Sequence, residues 1–128
     1  MHSGNTFKKL ERISAQREID LLFNEGSSFI AYPLRVIYLQ KQPFSGARSA
    51  ILISVPKKRL KRAVHRNRIK RLVRESYRLN KHDFIDSIST EGILMAFIYV
   101  GNGIASYTEI EAAVLKALRT ITAKCHDS

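Results

Sequence analysis

Twelve cations stand between Lys57 and Lys81: Lys57, Lys58, Arg59, Lys61, Arg62, Arg66, Arg68, Lys70, Arg71, Arg74, Arg78 and Lys81. One acid, Glu75, accompanies them, so the window carries +11. The whole chain of 128 residues has 22 basic and 11 acidic side chains, also +11, and everything outside the window therefore balances to zero. Guanidinium groups present a planar fork of donors that matches phosphate oxygens, and lysines add compact point charges. A merely solvated helix face usually mixes signs for i, i+4 pairing. A concentrated field of one sign costs self-repulsion and suits a polyanion, so the chemistry is phosphate binding and the partner a nucleic acid.

Cutting a phosphodiester by protein groups alone asks for clustered carboxylates around metal, or a histidine acid/base pair. The acids here are thinly spread, and His65, beside the basic run, has no partner at useful spacing. His2, His82 and His126 are scattered, and the single Cys125 excludes an internal disulfide and a cysteine zinc cluster. No catalytic residue and no metal ligand is therefore assigned to the protein.

The elements that must position these cations can be read from periodicity. At this length one domain spanning 1–128 is expected, with 1–13 as a flexible basic extension carrying Phe7 and Arg12. No signal-peptide stretch or membrane-length apolar run is present, which fits a cytoplasmic protein. Ser14 can cap a helix over 15–24, whose Ile19, Leu22 and Phe23 form one apolar stripe before Gly26. Residues 29–40 read as one strand with Pro33 near its start, and 50–55 as a second, the two joined as an antiparallel hairpin around Pro43 and Gly46. The basic window is helical over about 64–80. Ile69, Leu72, Val73, Ser76, Tyr77 and Leu79 fall on one stripe, and Asn67, Lys70, Arg71, Arg74, Arg78 and Lys81 on another. The apolar run 93–100 reads as a strand covered on both faces, and Thr108-Glu109-Ile110-Glu111 as a capping box opening a last helix. The order is α-β-β-α-β-α.

Within the window, Arg66-Asn67-Arg68-Ile69-Lys70-Arg71 followed by Arg74-Glu75 resembles the signature of the protein component of bacterial ribonuclease P. Phe7, Arg12, Phe23, Gly26, Ser54-Val55 and Lys57-Lys58 agree in order and spacing, so the resemblance runs over roughly 7 to 122. It implies a single-domain α+β sandwich with a small mixed sheet and the basic helix on a left-handed crossover. It also implies an endoribonuclease whose RNA subunit performs catalysis with Mg2+, removing the 5′ leader of precursor tRNA, while the protein binds RNA and leader and requires no protein partner. Carried over by position, Arg66, Asn67, Arg68, Lys70, Arg71 and Arg74, with Lys57, Lys58 and Arg62, would contact RNA. Phe7, Arg12, Ile19, Phe23 and Tyr38 would line a leader cleft between the first helix and the sheet. Ile19 stands where many members carry a ring. From the residues alone, Phe23 is equally a core aromatic, Asn67 equally a cap or turn residue, and the facing of Tyr32 and Tyr38 is open; Tyr77 reads as core.

Two other readings fit the composition. A ribosomal-type structural RNA-binding protein has the same size and charge. A DNA-binding architectural protein fits less well, because no dimerisation heptad, zinc motif or two-helix recognition unit is present.

Overall fold

The computed structural model describes residues 12–13, 15–88 and 92–126. Seven elements follow one another: α1 (Gln16–Glu25), β1 (Ser27–Ala31), β2 (Leu34–Leu39), β3 (Ser49–Ser54), α2 (Ala63–Ser87), β4 (Ile93–Tyr99) and α3 (Tyr107–His126). One more strand is present than the expected order contained. The stretch expected as a single strand over 29–40 breaks at Tyr32-Pro33, whose peptide bond is cis, and folds back on itself with Ala31 opposite Leu34. The hairpin is thus β1–β2, and the expected hairpin of 29–40 with 50–55 does not form, because β4 lies between β2 and β3.

The sheet order is β1-β2-β4-β3, with β4 antiparallel to β2 and parallel to β3. The continuous apolar run of β4 explains its central place. Ile93, Met95 and Phe97 join the core under α2 and α3, while Leu94 and Ala96 join a smaller core under α1. A strand apolar on both sides has to be covered on both sides, as the run predicts.

α2 runs 25 residues, about 37 Å at 1.5 Å per residue, beyond the expected stop near 80. No Gly or Pro interrupts 81–87, and Phe84 continues the buried stripe of Ile69, Val73 and Tyr77. Tyr77 is core as expected, its hydroxyl bonded to Ser49 and its ring 6.5 Å from Phe97. Leu79, expected on the buried stripe, is instead exposed. α3 is capped two residues earlier than expected. Ser106 Oγ accepts from the Glu109 amide (3.2 Å) and Glu109 Oε1 accepts from the Ser106 amide (3.0 Å), a reciprocal capping box.

α1 starts after Ala15, which offers no side-chain cap; Ser14 lies outside the described residues. Gly26 caps the helix with its amide on the Leu22 carbonyl, and only glycine fits, since a Cβ there would sit 2.4 Å from the Leu22 carbonyl oxygen and 2.9 Å from that of Tyr38. Of the extension expected to be flexible, residues 12–13 are described, and both are anchored. Arg12 bridges Ile51 in parallel, the Ile13 amide donates to the Ile51 carbonyl (2.9 Å), and Ile13 is buried.

Candidate nucleic-acid interface

The cationic helix leaves β3 through a tight turn at 57–59, fixed by the Arg59 amide donating to the Pro56 carbonyl (3.0 Å). Lys57, Lys58, Lys61 and Arg62 are exposed around it, Arg62 as the N-cap residue of α2. Arg66 turns back on this connection. Its Nη1 donates to the carbonyls of Leu60 (3.0 Å) and Lys61 (2.7 Å), so it holds the entry to the helix while its charge remains near the surface.

Beyond it, Asn67, Arg68 and Arg71 are exposed, and among the described residues nothing bonds their side chains. Asn67 sits inside the first turns of α2, so it is neither a cap nor a turn residue. Lys70 and Arg74 are half-buried and meet Arg12 around a cavity of about 200 Å³ walled by Ile13, Ile51, Leu52 and Ile53. No described carboxylate lines it. Burial, and then the charge of Arg12, push the Arg74 guanidinium below its ordinary value. Arginine remains charged at neutral pH all the same, so Arg12 and Arg74 bring like charges to one space.

The rail ends sooner than its sequence implies. Arg78 donates to Glu75 through Nε (3.1 Å) and through Nη2, an i, i+3 pair, and Lys81 is only 5% exposed. Glu75, the one acid of the 57–81 window, is thus committed to Arg78.

On the other sheet face, α1 packs Leu22 fully into the small core, and Ile19 lies half-buried against it. Phe23, expected to line the cleft between α1 and the sheet, is 46% exposed and is not a core ring. Tyr38 does not line this cleft. Strand residues alternate, and Val36 and Tyr38 join the core on the α3 side, where Tyr38 meets Phe29 edge-on at 6.1 Å between ring centres. Ile37 takes the cleft side instead, and Arg35, exposed and in the same phase, adds a cation that the sequence reading missed. Period-2 alternation pairs Arg35 with Ile37 from sequence, but which of the two faces α1 covers is not readable there. Also missed was Glu18, buried on α1, whose Oε2 accepts from the Phe44 amide (2.6 Å) while Arg17 lies 5.8 Å from the Phe44 ring centre. These contacts pin the β2–β3 loop beside α1. Phe7 lies outside the described residues.

Among the described residues no group of three or more His, Cys, Asp or Glu could hold a metal ion. A cavity of about 470 Å³ lies between the C-terminal halves of α2 and α3, away from Arg68 and Arg71 and lined by Arg119. No described helix is long and apolar enough to cross a membrane.

Comparison with known proteins agrees with this geometry. A family model described as Ribonuclease P matches residues 7–122. The chain is similar to the Ribonuclease P protein component of Porphyromonas gingivalis, 44% identical over 122 residues covering 92% of this chain and 89% of that one. It is 32% identical to that of Chlorobaculum tepidum over 104 residues, covering 74% and 68% respectively. Its fold matches the RNase P proteins of Staphylococcus aureus (TM-score 0.69, 23% identity, 90% of this chain and 96% of that chain) and Thermotoga maritima (TM-score 0.67, 26% identity, 86% and 96%).

Proposed function

This chain belongs to the ribonuclease P protein family, and from that premise we propose how its surfaces divide the work. It is the protein component of an endoribonuclease, working with an RNA subunit in removal of the 5′ leader from precursor tRNA. The exposed rail of Asn67, Arg68 and Arg71, with Lys57, Lys58 and Arg62 at its entry, contacts the RNA subunit. The observation that carries this is a run of exposed cations in which the nearest acid, Glu75, is already paired. Arg66 supports the same contact by fixing the turn before the helix.

The cleft between α1 and the sheet takes the 5′ leader of the precursor. Phe23 offers an exposed ring, Ile19 and Ile37 an apolar wall, and Arg35 a cation on its open side. Stacking on a ring tolerates any base, which suits a protein that meets many leaders. Arg12, Lys70 and Arg74 surround a space suited to one backbone phosphate at the edge of β3. Mg2+ favours oxygen ligands and several retained waters; we assign it to the phosphates of the RNA, and catalysis with it. The protein acts by binding, in the cytoplasm, and we infer no need for a further protein.

Reconstitution tests this reading. With the cognate RNA subunit and a precursor tRNA at low Mg2+, adding the protein should speed cleavage and tighten substrate binding; no change in either would sink it. Phe23→Ala should weaken binding of a precursor with a leader by about 1–3 kcal/mol per stacked base and leave binding of mature tRNA unchanged. Equal losses for both RNAs would remove Phe23 from the leader path. If the protein instead co-purified at one copy per ribosomal subunit, the structural-RNA reading would replace this one.

A further inference from the structure

At the end of the sheet where β3 and β4 finish, three connections come together. They are the Tyr32-Pro33 turn, the 57–62 segment leading into α2, and the 100–106 segment leading into α3. Between the first and third lies a cavity of about 140 Å³ lined by Tyr32, Pro33, Tyr99, Asn102 and Ile104. Its walls are fixed from within. The Val100 amide donates to the Pro33 carbonyl (2.8 Å), and the Tyr99 hydroxyl donates to the Gly103 carbonyl while accepting from the Ala105 amide (3.1 Å). Its mouth is apolar and open: Tyr32 is 64% exposed and Ile104 49%. Arg59 reaches the same rim, its Nη1 donating to Asn102 Oδ1 (3.1 Å), and Lys57 and Lys58 are exposed on the turn that carries it. Glu109, also on the rim, is engaged by the Ser106 amide.

A rigid aromatic ledge beside a cationic turn is the pairing that binds single-stranded nucleic acid, the ring taking a base and the cations its phosphate. We infer that this cavity is a second RNA contact, in which an unpaired nucleotide of the RNA subunit stacks its base on Tyr32 and sets its phosphate against Arg59 and Lys58. The inference rests on the RNA-partner reading above. The RNA subunit is favoured over the leader because the cavity shares the sheet end from which α2 departs, whereas α1 joins β1 through Gly26 at the opposite end. The surrounding charge disfavours a second copy of this basic chain, since like would meet like.

The sequence has no tryptophan, so Tyr32→Trp places a single fluorescent reporter on the ledge. Titrating the full-length variant with the RNA subunit alone should quench its emission at saturation, and unchanged emission would overturn the stacking. Tyr32→Ala should weaken affinity for the RNA subunit by about 5- to 150-fold, the equivalent of about 1–3 kcal/mol per stacked base. Its salt slope should equal that of the parent, because no phosphate contact is lost. Tyr32→Phe should bind like the parent. The side chain is exposed, so thermal melting of all three variants should match the parent. Parent-like RNA affinity in Tyr32→Ala overturns this inference alone; a loss seen only with leader-bearing precursor, or a change only in self-association, also overturns it. Failure of the parent protein to bind the RNA subunit would overturn the proposed function itself.

Discussion

The two halves of α2 differ in charge and in what their cations do: residues 63–74 hold five cations and no acid, whereas residues 76–87 set Arg78 and Lys81 against Asp83 and Asp86. In the N-terminal half, Arg68 and Arg71 are exposed with no described partner, and Lys70 and Arg74 face Arg12 across a cavity that no described carboxylate lines. In the C-terminal half, Arg78 is bonded to Glu75, Lys81 is buried, and Phe84 and Ile88 enter the core. One helix therefore changes over its length from a contact surface to a structural strut. Formal charge marks the change, and burial and pairing show what each remaining cation does.

Neutralising Arg68, Arg71 and Arg74 together should give the largest effect. Binding to the RNA subunit should fall most at low salt, and the slope of log affinity against log salt should shrink by about three, one for each phosphate contact. A filter-binding series across salt measures this, and an unchanged slope would erase the distinction between the halves. Lys81→Ala should act in the opposite register. It should lower stability by about 0.5–3 kcal/mol, the ordinary range for a single substitution, through lost packing of its buried stem. Denaturant unfolding reads the loss, and the salt slope of RNA binding should stay that of the parent. If the slope dropped by about one, the rail would extend past Arg74 after all.

The smallest effect belongs to the pair. The hydrogen bond from Arg78 holds the Glu75 carboxyl below its ordinary value and raises the Arg78 guanidinium. Its contribution is therefore whole above the unfolded-chain carboxyl pKa and drains as the pH falls through the lower folded one. Glu75→Gln should flatten that stretch of the acid stability curve slightly, as measured by melting at stepped pH, with the effect smaller in high salt. An unaltered acid limb would mean the pair contributes nothing measurable.

Much of this was legible in the residues themselves. The apolar run at 93–100 announced a doubly covered strand, and the spacing of Ile69, Val73 and Tyr77 announced the buried stripe of α2, because both depend on local period. Strand partnership was not legible. Nothing near residues 34–39 says that their neighbour lies in 93–99 and not in 49–54, since that pairing is decided by the whole sheet. Nor was the fold-back at Tyr32-Pro33 legible, since 29–40 reads as one strand; Tyr38 enters the cleft only through the resemblance, its own facing being open, and the face that α1 covers is decided by the whole sheet. Lys81 could not be recognised as buried from its type, because a lysine stem packs like an aliphatic chain. The capping box was misplaced by two residues, since Thr108 and Ser106 are equally good cap types and only the observed bonds choose between them.

The sheet order has a consequence for the way the chain is made. β4 lies between β2 and β3 but is synthesised after both, with the whole of α2 intervening. Until it emerges, β3 has no strand to pair with, and the stripe of α2 has no Phe97 or Met95 to cover it. Non-local pairing of this sort makes folding slow for a domain of this size. A nascent chain ending before Ile93 would thus carry the full cationic window with no sheet beneath it, able to attract RNA but not to orient it.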